Sequence, residues 1–104
     1  MVTVEEAKEM ALSLPATGQQ PHFDRTAFTV KKKIFATLLP EAATLNLKFT
    51  PAEQFIFCPP DSDVIYPVPG GWGRQGWTTI NLQKAPKKLV KSALLKAYEL
   101  RKAK

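Results

Sequence analysis

Cysteine and histidine are nearly missing from this chain: each occurs once, as Cys58 and His22. A lone cysteine forbids an internal disulfide and fits a reducing compartment. The two residues are also too few for a zinc site of the usual kind. No apolar run approaches the roughly 18–20 residues that span a bilayer, so no membrane association is expected. The opening MVTVEEAKEM is acidic and patterned as a helix, unlike a signal or transit peptide, and the expected location is the cytoplasm. Glycine is scarce and concentrated: four of the five lie at Gly70, Gly71, Gly73 and Gly76. That stretch, GGWGRQG, precedes a strand, whereas a dinucleotide fingerprint needs a helix after its glycines. The Gly-Lys-Ser/Thr ending of a P-loop is absent as well, and no cofactor is expected.

What is present describes an ordinary globular chain. Its 104 residues, 44% apolar and 23% charged, suit one domain over residues 1–104 with a single modest core. The net charge is +6, and its placement is uneven. Glu5, Glu6, Glu9 and Asp24 outnumber Lys8 and Arg25 in the first 30 residues. From residue 84 onward Lys84, Lys87, Lys88, Lys91, Lys96, Arg101, Lys102 and Lys104 face only Glu99. Such asymmetry suggests an anionic partner; the plainer alternative is a solvated helix face ending in a basic tail.

Thr3 can cap a helix over residues 3–14, with Glu6 completing a capping box and Val4, Ala7, Met10, Ala11 and Leu14 forming one stripe. Pro15 disfavours helical backbone at Leu14. Residues 17–20 read as a polar turn, followed by strand-like residues 21–24 and 25–30. Lys31, Lys32 and Lys33 read as a charged hairpin tip before a strand at 34–39. Pro40-Glu41-Ala42 turns the chain. Thr44 to Phe49 alternates strictly, with Leu45, Leu47 and Phe49 on one face and Asn46 and Lys48 on the other, as a half-buried antiparallel strand does. Thr50 and Pro51 open a short helix to about Phe57. Residues 58–63 break structure, and Val64 to Val68 ends in a wide Gly-rich hairpin loop. Trp77 to Leu82 is a strand, and residues 86–101 form a terminal helix striped by Leu89, Val90, Ala93, Leu94, Ala97, Tyr98 and Leu100. Two striped helices flanking antiparallel strands predict an α+β fold, with the two terminal helices packed on one face of an antiparallel sheet.

SLPATGQQPHF, KIFATL, IYPVPGGWGRQGWTTINL and the closing AYELR together resemble the MmcQ/YjbR-like family of small bacterial proteins, over about Ala11 to Arg101. The resemblance implies a frataxin- or CyaY-like fold. Family labels often include DNA binding, and no enzymatic activity is firmly attached to them. Frataxins share an acidic ridge along the first helix and strand. This chain has only Glu5, Glu6, Glu9 and Asp24 there, and hard cations need several convergent oxygens, so no metal site is expected.

Pairing His22 with Cys58 for nucleophilic chemistry would require proximity and an orienting group, neither of which the sequence indicates. The expectation is a structural His22, hydrogen-bonded near a sheet edge, a half-buried apolar Cys58, turn roles for Asp61 and Asp63, and no enzyme. Nucleic acid fits better. Lys31, Lys32, Lys33, Lys48 and Arg74 lie on hairpin tips or on the second sheet face, where phosphate contacts are made without regard to sequence. Trp77 shares a face with Thr79 and Asn81, opposite Thr78, Ile80 and Leu82. There it could stack a base, worth on the order of 1–3 kcal/mol, with Trp72 alongside; alternatively it packs beside Phe35. The function expected is therefore weak, sequence-tolerant DNA or RNA binding by a monomer. The competing expectation is a protein- or small-ligand-binding module using the Gly/Trp/Arg loop.

Overall fold

The computed structural model describes residues 1–103; Lys104 lies outside them. The chain is α+β, with a six-stranded, wholly antiparallel sheet and four α-helices among the described residues. The first helix, α1, runs Val4–Leu12. Thr3 caps it: its hydroxyl accepts from Glu6 N while Glu6 Oε1 accepts from Thr3 N, each at 3.0 Å. The helix stops before Pro15, where Ser13 becomes the cap and its hydroxyl donates to Met10 O.

Strands β1 (Thr17–His22) and β2 (Arg25–Val30) form a hairpin closed at Phe23 and Asp24. The polar turn expected at residues 17–20 is thus part of a strand, and of the strand-like residues 21–24 only Pro21 and His22 are in a strand, Phe23 and Asp24 forming the hairpin turn. Gly18, Gln19 and Gln20 carry no apolar alternation. They are extended because β2 offers a ladder along its whole length, and β1 is the edge strand on which Pro21 is tolerated. Phe23 takes a left-handed φ of 60° at the turn and is 95% exposed.

A two-residue loop, Lys31-Lys32, connects β2 to β3 (Lys33–Leu39). A bulge at Phe28/Thr29 leaves Phe35 outside the pairing register. A 3₁₀ turn at Pro40–Ala42 leads to β4 (Thr44–Lys48), and Thr50 caps α2 (Pro51–Phe57). Strand β5 (Ile65–Pro67) forms the other sheet edge, and β6 (Trp77–Asn81) inserts between it and β4. Helix α4 spans Lys87–Lys102 from Pro86, which provides no side-chain cap.

Alternation along β4 and β6 assigns the faces. Leu45, Leu47, Phe49, Ile80 and Leu82 are buried in one cluster with Ala7 and Ala11 of α1 and Val90, Ala93, Leu94 and Ala97 of α4. Helix α4 lies against β2, β3 and β4, and α1 packs on α4 and β1. The opposite sheet face carries Thr37, Asn46, Thr79, Lys48 and Trp77, which meet as cross-strand pairs: Thr37 with Asn46, Asn46 with Thr79, and Lys48 with Trp77.

Candidate ligand cleft on the second sheet face

The Gly-rich stretch is not a wide loop. Gly70, at φ 82°, admits a one-turn helix, α3 (Gly71–Arg74), which places Trp72 over the second face. Two glycines are needed for close approach. A Cβ on Gly73 would stand 1.8 Å from Val68 O, and one on Gly76, itself at φ 109°, 1.9 Å from Phe49 O. Gln54 of α2 fixes this turn from behind, its side-chain amide donating to Gly73 O at 2.8 Å and to Trp77 O at 3.0 Å. Val68 N also donates to Trp77 O, tying β5 to the same point.

Trp72 and Trp77 line a cleft of about 210 Å³ together with His22, Arg25, Thr37 and Asn46. His22 and Arg25 are opposite one another at the end of the β1–β2 hairpin. Asn46 is held by Thr79, whose hydroxyl donates to Asn46 Oδ1 at 2.7 Å. Arg25 Nη1 is buried with no hydrogen-bond partner among the described residues. Arg25 nevertheless lines the cleft, and a guanidinium there makes it an attractive seat for an oxygen anion.

Of the residues singled out in the sequence, Trp72 and Trp77 come together here. Trp77 does not pack beside Phe35: the bulge turns Phe35 toward α4, where its ring meets Tyr98 edge-on at 5.7 Å. The cations gather elsewhere. Lys31 Nζ donates to Lys102 O at 3.0 Å, Arg101 Nε to Ile34 O at 2.8 Å, and Lys48 Nζ to Gln75 O and Phe49 O. These bonds draw the β2–β3 loop, the end of α4 and the segment after Arg74 to one end of the sheet. Lys48 thus neighbours Trp77 in the ladder while its ammonium is bonded to backbone carbonyls.

His22 is at the sheet edge as expected, where its ring packs edge-on to Phe23 at 5.0 Å and lines the cleft. Cys58 is half-buried, and burial pushes its thiol pKa up against a smaller opposing hydrogen bond with Thr78. It lines a different hollow, a groove of about 840 Å³ between α2 and β5. Asp63 pairs with Lys84, which lowers the Asp63 pKa. Among the described residues no group of three or more His, Cys, Asp or Glu side chains could hold a metal ion, and no helix is long and apolar enough to cross a membrane.

Arg25, His22, Thr37 and Asn46 were not among the candidate binding residues. Asn46 and Trp77 share a face by simple alternation, so that part was accessible. Arg25 joins them only once the β1–β2 turn is placed at Phe23-Asp24, and no Gly or Asn marks that turn.

The YjbR family model matches residues 12–100. The chain belongs to the YjbR family. Among solved structures, this YjbR chain is similar to a Deinococcus radiodurans protein with a DUF419 domain. The TM-score is 0.81 at 22% identity, over 96% of this chain and 78% of that one. It is also similar to a Pseudomonas syringae protein, with a TM-score of 0.65 at 17% identity, over 89% of this chain and 93% of the other. At these identities the likeness concerns the fold alone. No curated protein matches the chain.

Proposed function

We propose that this YjbR-family chain is a non-enzymatic, cytoplasmic bacterial binding module that holds nucleic acid weakly and with little regard to sequence. In this reading it is a monomer. Its two terminal helices share one sheet face in a frataxin-like arrangement, and the second face is the binding surface. Lys31, Lys32, Lys33, Lys48 and Arg74 meet phosphates, and Trp77, with Trp72, stacks an unpaired base.

The observation that carries the reading is the juxtaposition at one end of the sheet. The Lys31–Lys33 loop, bonded to the end of α4, and Lys48, bonded to the carbonyl after Arg74, lie at the end of the sheet where β6 begins with Trp77. A phosphate backbone tracking that end would bring a base within reach of an indole, the pairing of cations and aromatics that single-strand binders use.

The test is fluorescence anisotropy with a labelled single strand and a labelled duplex at two salt concentrations. Binding should fall steeply with salt. Arg74→Ala and a Lys31/Lys32/Lys33 triple alanine variant should each weaken it for all sequences and flatten the log–log slope by roughly one per lost contact. Trp77→Ala should weaken the single strand more than the duplex. No binding of either strand at about 50 mM salt, where phosphate contacts are strongest, would exclude the reading. A second reading, a protein partner, has its own observation: Phe55 and Ile56 of α2 are 85% and 72% exposed beside the α2–β5 groove. A double serine variant at these positions should leave anisotropy unchanged if nucleic acid is the ligand.

A further inference from the structure

The cleft between Arg25 and the tryptophans has a chemistry of its own, apart from the basic end of the sheet. Its polar lining is rich in donors. Arg25 lines it with a cationic guanidinium. Asn46, whose oxygen accepts from Thr79, adds an amide nitrogen that can donate. Thr37 and His22 add a hydroxyl and a ring nitrogen. The rest of the lining is flat and apolar, two indoles contributed by β6 and by α3. At about 210 Å³ the cleft is smaller than the roughly 300–1,000 Å³ of sites for drug-sized ligands, which restricts it to one ring system and its substituent.

We infer that this cleft binds a flat aromatic ring carrying one anionic group, the ring against Trp72 and Trp77 and the anion on Arg25. Two sources share that chemistry: a nucleoside monophosphate unit, free or in an unpaired strand, and a free aryl carboxylate. Stacking gives the ring its place without regard to its identity. The guanidinium pairs with carboxylate or phosphate oxygens in bidentate fashion.

The chain offers a direct readout. Trp72 and Trp77 are its two tryptophans, so emission excited at the indole edge reports on the cleft alone. The full chain is titrated with thymidine monophosphate, thymidine, benzoate and benzamide. At least one of the two anions should change the emission saturably, and its neutral counterpart should bind at least about tenfold more weakly, the scale of one charge-assisted contact. Tighter binding of the monophosphate identifies a nucleotide source, and tighter binding of benzoate a free aryl acid.

Arg25→Met keeps an unbranched stem, shorter than that of arginine, and removes the charge; it should erase the difference between charged and neutral ligands. Trp72→Leu alters a residue that is 64% exposed and should weaken every ligand without lowering the melting temperature. The Lys31/Lys32/Lys33 triple variant should bind thymidine monophosphate as the parent does while binding a short oligothymidylate less well, so failure of strand binding and failure of the cleft are separable. Equal binding of charged and neutral members of both pairs, unchanged discrimination in Arg25→Met, or no saturable change with any of the four probes overturns the inference.

Discussion

Two kinds of side-chain position carry this structure. The first is the fully buried apolar residue. Leu47, between β3 and β6 and wholly inaccessible to solvent, leaves a cavity when truncated, and Leu47→Ala should lower the unfolding free energy by about 2–5 kcal/mol in urea titrations. The second is the glycine that permits contact. Gly76→Ala combines a left-handed φ with a Cβ placed on Phe49 O. It should cost more than the roughly 1–3 kcal/mol of backbone strain alone, because β4 and the start of β6 must separate. A melt within a degree of the parent would refute that account. Strict alternation makes Leu47 legible in the sequence. Gly76 is legible only as one of several glycines, since which of them touches a backbone depends on how α3 folds. Arg25 was less accessible still, because it reaches the cleft only once the β1–β2 turn is placed.

At the scale of elements, a helix with a capping residue announces itself. Thr3 and Glu6 form the capping box that their spacing implies, and Thr50 caps α2. The sequence does not show that Glu6 also meets Lys87 of α4 at 2.9 Å. The hydrogen bond from Lys87, followed by those from Thr3, lowers the Glu6 pKa from 4.5 to about 2. A carboxylate depressed in the folded state contributes stability that is complete above its unfolded pKa and is lost as pH falls through the folded one. The stability difference between the parent and Glu6→Gln should therefore be constant above pH 4.5 and vanish toward pH 2. Equilibrium denaturation across that range checks it, and a pH-independent difference would contradict it.

The β2–β3 connection obeys another logic. Lys31 and Lys32 both hold left-handed φ, 52° and 67°, in a two-residue hairpin loop where Asn-Gly is the sterically favoured pair. Replacing them by Asn and Gly should stabilise the hairpin by about 1 kcal/mol while weakening any binding to phosphates. A variant that gains neither stability nor loses affinity would show that these lysines are incidental.

For the whole molecule, the number of strands was nearly recoverable but their order was not. β6 slots between β4 and β5, an arrangement that depends on long-range pairing and leaves no local signature. Most of β1 was read as a turn for the same reason: its polar residues lack any period, and only the ladder to β2 makes them extended. The one-turn α3 was missed because glycine-rich text reads as loop, although Gln54 and the packing against Val68 make it a defined support for Trp72. The sum of charges was legible; that the Lys31-Lys32 loop meets the last turn of α4 required knowing where that helix stops.

The direction of that last helix has a practical consequence. Val2 N donates to Leu82 O, near the start of α4, whereas Lys102, at its other end, touches Lys31. Sixteen helical residues separate the two points, about 24 Å at the usual rise. A purification handle or a surface tether attached before Met1 leaves the lysine loop unobstructed. The same appendage placed at the other end of the sequence, two residues past Lys102, would come close to it, and an acidic epitope there would neutralise the very charges an assay sets out to measure. Immobilised measurements made in the two orientations should therefore disagree, and the amino-terminal one is the orientation to prefer.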